Sequence, residues 1–191
     1  MPTAGHVRPT QDAVREALFS ILGTSVPNSV FIDLFGGSGA VGIEAWSRGA
    51  ASVTWLEGNR QVARILRENV ASMCGESECR VVEDDIFRWL KHPCPAAETA
   101  AATIVFADPP YGDEEEYDRI QEVMELLAAS GRMAPGGIFI AEQRAGTPMP
   151  SAKGWNRIKD RRYGHTRLTL YSFNGRPADA AGENGLEEET K

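Results

Sequence analysis

The chain has 191 residues, 42% of them hydrophobic and 25% charged, which suits one globular domain with a single sizeable core. A net charge of −7 argues against nucleic-acid binding over the whole surface; no apolar stretch is long enough to span a bilayer and residues 1–5 lack a signal-peptide pattern, so a cytoplasmic location is expected, and a monomer is taken as the working state. Cys74, Cys79 and Cys94 are odd in number and lack ligand spacing, so neither a disulfide framework nor a metal site is indicated.

In chain order, Pro9 disfavours helix at Arg8, and Thr10 or Asp12 caps a helix to Leu22 that turns Val14, Ala17, Leu18, Ile21 and Leu22 to one face. Arg8 and Arg15 lie on or near its start. Val30 to Leu34 then reads as a strand, broken off by the glycines of FGGSGAVG (35–42), after which helical spacing resumes from Gly39 to Arg48. Strand, tight turn and helix N-terminus together offer backbone N–H groups to a nucleotide-like ligand. Gly37, Gly39 and Gly42 satisfy the dinucleotide fingerprint, so this stretch alone leaves nicotinamide and adenosyl cofactors open.

Ser52 to Leu56 is the second strand and ends at Glu57, where nucleotide-binding α/β domains place the acid that accepts ribose hydroxyls. Arg60 to Met73 reads as an amphipathic helix with Val62, Ile65, Leu66, Val70 and Met73 inward, and Arg80 to Glu83 as the third strand. Asp84 and Asp85 precede a short helix from Ile86, a place where a carboxylate can meet the amino group of an adenine lying on Ile86.

Lys91 to Ala102 is a Pro/Ala-rich loop, and Thr103 to Ala107 is a continuous apolar run, hence a buried central strand. It delivers Asp108-Pro109-Pro110-Tyr111. Two prolines fix the backbone, so Asp108 and the Pro109 carbonyl hold a rigid pair of acceptors for the two hydrogens of a planar –NH2 group, with the Tyr111 ring stacked on its heterocycle. An acidic link (112–116), a helix from Tyr117 to Ser130 and a strand from Ile138 to Glu142 follow. Trp155 to Tyr163 and Thr166 to Phe173 alternate around Gly164-His165 as a closing hairpin. Lys153 to Arg167 carries six bases and one acid, a local basic face on an acidic protein, whereas residues 174–191 read as an acidic, disordered tail. Residues 1–173 thus form the domain, with helical segment 8–22 packed on it.

RPTQDAVREALFSIL (8–22), DLFGGSGAVGIEAWSRGA (33–50), VFADPPY (105–111) and RRYGHTRLTLY (161–171) together resemble the ribosomal RNA small subunit methyltransferase D family, class I enzymes that methylate the N2 amine of a guanine in 16S rRNA. The resemblance favours S-adenosyl-L-methionine as cofactor. It implies a Rossmann-like α/β fold, with a seven-stranded, mostly parallel sheet, an antiparallel last strand and helices on both faces. By position it assigns Thr10, Asp33, Phe35, Gly36, Ser38 and Gly39 to the methionine and ribose parts of the cofactor, Glu57 to the ribose, and Asp85 with Ile86 to the adenine. Asp108, Pro109, Pro110 and Tyr111 take the target amine. Arg8, Arg15, Arg157, Lys159, Arg161, Arg162 and Arg167 are the expected RNA contacts, with 16S rRNA in a small-subunit particle as the partner. Asp-Pro-Pro-Tyr also serves adenine N6 and cytosine N4, and a cofactor-binding assembly factor without catalysis is the alternative from another class.

Overall fold

The computed structural model describes residues 9–74, 78–92, 101–110 and 115–175, with the side chains of 9, 10 and 115–118 left aside. Arg8, Tyr111, Cys94 and residues 176–191 of the expected acidic tail therefore lie outside the described residues, whereas Asn174 donates its N–H to the Gly154 carbonyl at 2.8 Å. Helix α1 (Pro9–Leu22) begins one residue before Thr10, because proline supplies the helical φ and lacks an N–H that the first turn could not satisfy. Asp12 lies in the first turn and pairs with Arg15 at 2.8 Å. Val14, Leu18, Phe19 and Leu22 are buried, so Phe19 joins a stripe in which Ala17 and Ile21 are half-buried.

The strands are β1 (Val30–Asp33), β2 (Ser52–Leu56), β3 (Cys79–Val82), β4 (Ala102–Ala107), β5 (Met133–Arg144), β6 (Trp155–Tyr163) and β7 (Thr166–Phe173), and the helices between them are α2 (Ala40–Ser47), α3 (Arg60–Ala71), α4 (Ile86–Lys91) and α5 (Glu115–Ser130). They form one sheet in the order β3-β2-β1-β4-β5-β7-β6, in which β7 alone runs against its neighbours. The expected sheet, with its antiparallel last strand, is thus present. One face carries Phe31, Val53, Trp55, Ile104, Phe106 and Ile140 under α1, α2 and α3; the other carries Ile32, Leu56, Val105 and Phe139 under α4 and α5. Alternation in the strand period explains why one apolar run feeds both layers.

Three local readings change. In α3 the buried positions are Ala63, Leu66 and Val70, whereas Ile65 is 50% and Met73 62% exposed. Ile65 sits about 100° around the helix from Leu66, and Met73 lies past the helix end. Strand β5 starts at Met133 rather than 138, because it advances from 133 to 138 while β4 advances from 102 to 104, accommodating Pro135-Gly136 as an outward irregularity with Gly136 at φ +79°. In β6 the pairing jumps from Arg157 to Lys159, which leaves Ile158 unpaired and exposed. Cys74 and Cys79 are free thiols, the latter pushed up to about 12 by burial and by its neighbour Cys74.

Candidate active site

Because β1, β2, β4 and β5 are parallel, their carboxyl ends share one edge, where Asp33 ends β1, Glu57 and Asp108 directly follow β2 and β4, and Glu142 lies two residues before the end of β5. Asp33 pairs with Trp55 and Phe106, and Phe106 with Ile140, so the residues at these levels project from one sheet face. A cavity of about 250 Å³ opens there. Gln11, Arg15 and Leu18 of α1 form one wall, Phe35 to Ser38 with Ala40 and Val41 the other, and Asp33, Phe106, Asp108 and Glu142 the base. Ligand clefts usually span roughly 300–1,000 Å³, so this space suits the reacting end of a ligand rather than a whole nucleotide.

Asp33 is 1% exposed and its Oδ1 accepts no hydrogen bond. Burial raises its pKa from 3.8 to about 7, opposed by the backbone N–H groups of Phe35 and Gly42 and reinforced by the charges of Glu57 and Glu142. An orphaned buried acceptor among other acids suits a cationic ligand, as a sulfonium or ammonium group would be.

The glycines divide into two jobs. A Cβ on Gly42 would stand 2.2 Å from Trp55 Nε1, and one on Gly39 2.6 Å from Leu66 Cδ1, so these positions let α2 press against β2 and α3. Gly37, at φ +50°, has nothing nearer than the Phe35 carbonyl at 3.8 Å and faces the cavity. Its N–H donates to Glu57 Oε2 at 3.1 Å, while Glu57 Oε1 accepts from Asn59 N–H at 2.7 Å. Asn59 in turn caps α3 by accepting from Gln61 and Val62 N–H. Glu57 therefore holds the glycine loop against the β2–α3 turn, and its remaining lone pairs can serve hydroxyl donors.

Among the expected cofactor residues, Asp33, Phe35, Gly36 and Ser38 line the cavity; Gly39 packs behind it; Glu57, Asp85 and Ile86 stand on the neighbouring strand ends. Asp85 caps α4 by accepting from Arg88 N–H at 2.8 Å, and Ile86 beside it is buried. Arg88 binds Asp84 and holds that carboxyl below the usual range. Gly58 lies against this pair, its Cβ direction 3.4 Å from the Asp84 carbonyl, so the segments that follow β2 and β3 approach each other closely there. Thr10 sits in the first turn of α1, its side chain outside the described residues. Asp108 is half-buried, Pro109 buried and Pro110 exposed.

Two of the expected RNA contacts are placed elsewhere. Arg15 turns into the cavity, bonded to Asp12, rather than onto an outer face. Arg167 is 13% exposed, donates to the Thr147 carbonyl and lies 3.9 Å from Asp160, so it braces the hairpin. Arg157, Arg161 and Arg162 are exposed on the edge strand and Lys159 is half-buried there. Because β6 runs with β4 and β5, Arg161 and Arg162 lie at the same end of the sheet as Asp108. Gln11 and Glu142 were not singled out from the sequence, although Glu142 is an acid that directly follows the apolar run 138–141. Among the described residues no helix is long and apolar enough to cross a membrane, and no cluster of three or more His, Cys, Asp or Glu could hold a metal ion.

The strand order, the single reversed strand and a glycine loop facing an Asp-Pro-Pro segment across the switch point define a Rossmann-like methyltransferase. The chain belongs to the family described as Conserved hypothetical protein 95, whose family model matches residues 1–172, and with it to the ribosomal RNA small subunit methyltransferase D group that its sequence segments resemble. It is 30% identical over 166 residues to the Haemophilus influenzae protein named Ribosomal RNA small subunit methyltransferase D, covering 86% of this chain and 82% of that one. The solved structure of Escherichia coli yhhF superposes with a TM-score of 0.74 at 31% identity, over 88% of this chain and 89% of that one. An RNA methyltransferase from Salinibacter ruber, solved with S-adenosyl-L-homocysteine, shares the fold at a TM-score of 0.63 and 16% identity, over 95% of this chain and all of that one.

Proposed function

We propose that this chain methylates the exocyclic N2 amine of a guanine in 16S rRNA, using S-adenosyl-L-methionine. The observation that carries the reading is the meeting of Asp108 with the glycine loop and the Asp33 carboxylate, whose Oδ1 accepts no hydrogen bond, around one cavity. Bound there, S-adenosyl-L-methionine supplies a methyl group on a cationic sulfur. Arg15 and Gln11 reach the same space from α1 and suit the carboxylate of an amino-acid moiety, while Asp33 suits its cation. Glu57 takes the ribose hydroxyls in this reading, and Asp85 with Ile86 the adenine.

Asp108 and the Pro109 carbonyl accept the two hydrogens of the target amine, which turns the nitrogen lone pair out of conjugation and toward the methyl. The Asp108 charge also stabilises the positive charge that grows on nitrogen as it attacks. No strong base is needed, because the methylated nitrogen is acidic once cationic and releases a proton afterwards. Orientation supplies most of the remaining rate. A paired guanine in an A-form helix cannot enter such a site, so the target is unpaired or flipped, with its phosphates against the Arg157–Arg162 edge.

The reading is tested by incubating the protein with methyl-labelled S-adenosyl-L-methionine and small ribosomal particles lacking the modification, then digesting to nucleosides. Label in N2-methylguanosine is expected, and Asp108→Ala should lower its rate by roughly 10²–10³-fold while cofactor binding persists. Label in methylated adenosine or cytidine would refute the guanine assignment.

A further inference from the structure

Glu142 is the one acid at the base of the cavity that the proposed transfer leaves without a task. Strands β4 and β5 are parallel, with Phe106 opposite Ile140 and Ala107 opposite Ala141, so Asp108 and Glu142 emerge side by side from adjacent strands about 4.8 Å apart. Both line the cavity. On its other side Glu142 pairs with Leu168 of β7, which is fully buried, so that neighbour offers an apolar wall. The Glu142 charge also raises the Asp33 carboxyl, so the two acids share one electrostatic environment.

The chemistry of the three amino-bearing bases differs beside the amine. Guanine presents N1–H next to its N2 amine, two donors in a row. Adenine presents the N1 lone pair next to N6, and cytosine the N3 lone pair next to N4. A carboxylate accepts hydrogen bonds and donates none, so a second carboxylate beside the residue that holds the amine attracts guanine and repels the other two. Resting on the guanine reading above, we infer that Glu142 accepts the N1–H of the target guanine and thereby selects guanine over adenine and cytosine. Asp108 holds the group that reacts, and Glu142 reads the group beside it. Discrimination of this kind is strong because a mismatched base leaves a buried charge facing a lone pair.

The test compares small-subunit particles reconstituted with guanine or with 2-aminopurine at the methylated position. 2-Aminopurine keeps the N2 amine but carries a lone pair at N1. The wild type should prefer guanine in kcat/KM by on the order of 10–100-fold, the effect of a charged hydrogen bond. E142Q, whose amide can donate to the 2-aminopurine N1, should bring that ratio to near unity or invert it. E142D, which keeps the carboxylate on a shorter stem, should retain the guanine preference at a lower rate. An unchanged ratio in E142Q, with N2-methylguanosine still the product, overturns the role of Glu142 alone. Absence of N2-methylguanosine from the wild type overturns the guanine reading and this inference together.

Discussion

Replacing Gly42 by alanine tests whether the third glycine of the loop serves packing or ligand approach. The added Cβ would lie 2.2 Å from Trp55 Nε1, 2.4 Å from Cε2 and 2.7 Å from Cζ2. Ordinary contact begins near 3.4 Å, so α2 and β2 must separate by about 1 Å or the indole must turn. The indole has little room, being fully buried and donating through Nε1 to the Gly39 carbonyl at 3.3 Å. Overpacking of this kind costs about 1–3 kcal/mol or more, and the better helix propensity of alanine returns up to about 1 kcal/mol. The expected net loss is about 2 kcal/mol, or roughly 4–8 °C in Tm for a chain of this size. Urea unfolding followed by tryptophan fluorescence measures it, and in a Trp55→Leu background, itself destabilised, the same change should cost far less. Gly37→Ala is the contrast: with no contact under 3.8 Å its stability loss should be confined to about 1 kcal/mol of backbone strain, while cofactor affinity falls. A Gly42→Ala protein as stable as the wild type, or an equal loss in the Trp55→Leu background, would refute the packing argument.

Two further outcomes follow from charge. Asp33 is raised to about 7 in the folded state, so the folded chain binds an extra proton between about pH 4 and 7 and loses stability as pH rises through that window. Relative to Asp33→Asn, wild-type stability should fall by on the order of 4 kcal/mol from pH 4 to 8; parallel stability profiles for the two proteins would show that Asp33 is not held protonated. Arg161→Glu with Arg162→Glu should weaken binding to small-subunit RNA and flatten its salt dependence, with cofactor affinity unaltered. Equal RNA affinity in that variant would remove the β6 edge from the docking surface.

The parts of this protein that were legible in its sequence are those whose physics is local. Apolar runs closed by glycine or acid define β1, β2 and β4; the alternation about Gly164-His165 defines the β6–β7 hairpin; and Asp108-Pro109-Pro110 states its own rigidity. Where the signal was only periodicity, neighbours decided: α3 has just enough buried surface for Ala63, Leu66 and Val70, leaving Ile65 and Met73 in solvent. β5 extends back through Pro135 and Gly136 because β4 offers it a partner from Ala102 onward. The site was half legible for the same reason. Asp33, Glu57 and Asp108 announce themselves at strand ends, but only the strand order sets Glu142 beside Asp108 across more than thirty intervening residues, and only the docking of α1 turns Arg15 inward. Likewise, nothing local distinguishes Gly42, pressed on Trp55, from Gly37, open to the cavity. A sequence carries the conformational preferences of each segment, whereas convergence of side chains on one cavity depends on which strand ends lie next to each other, and that is settled by burying both sheet faces at once.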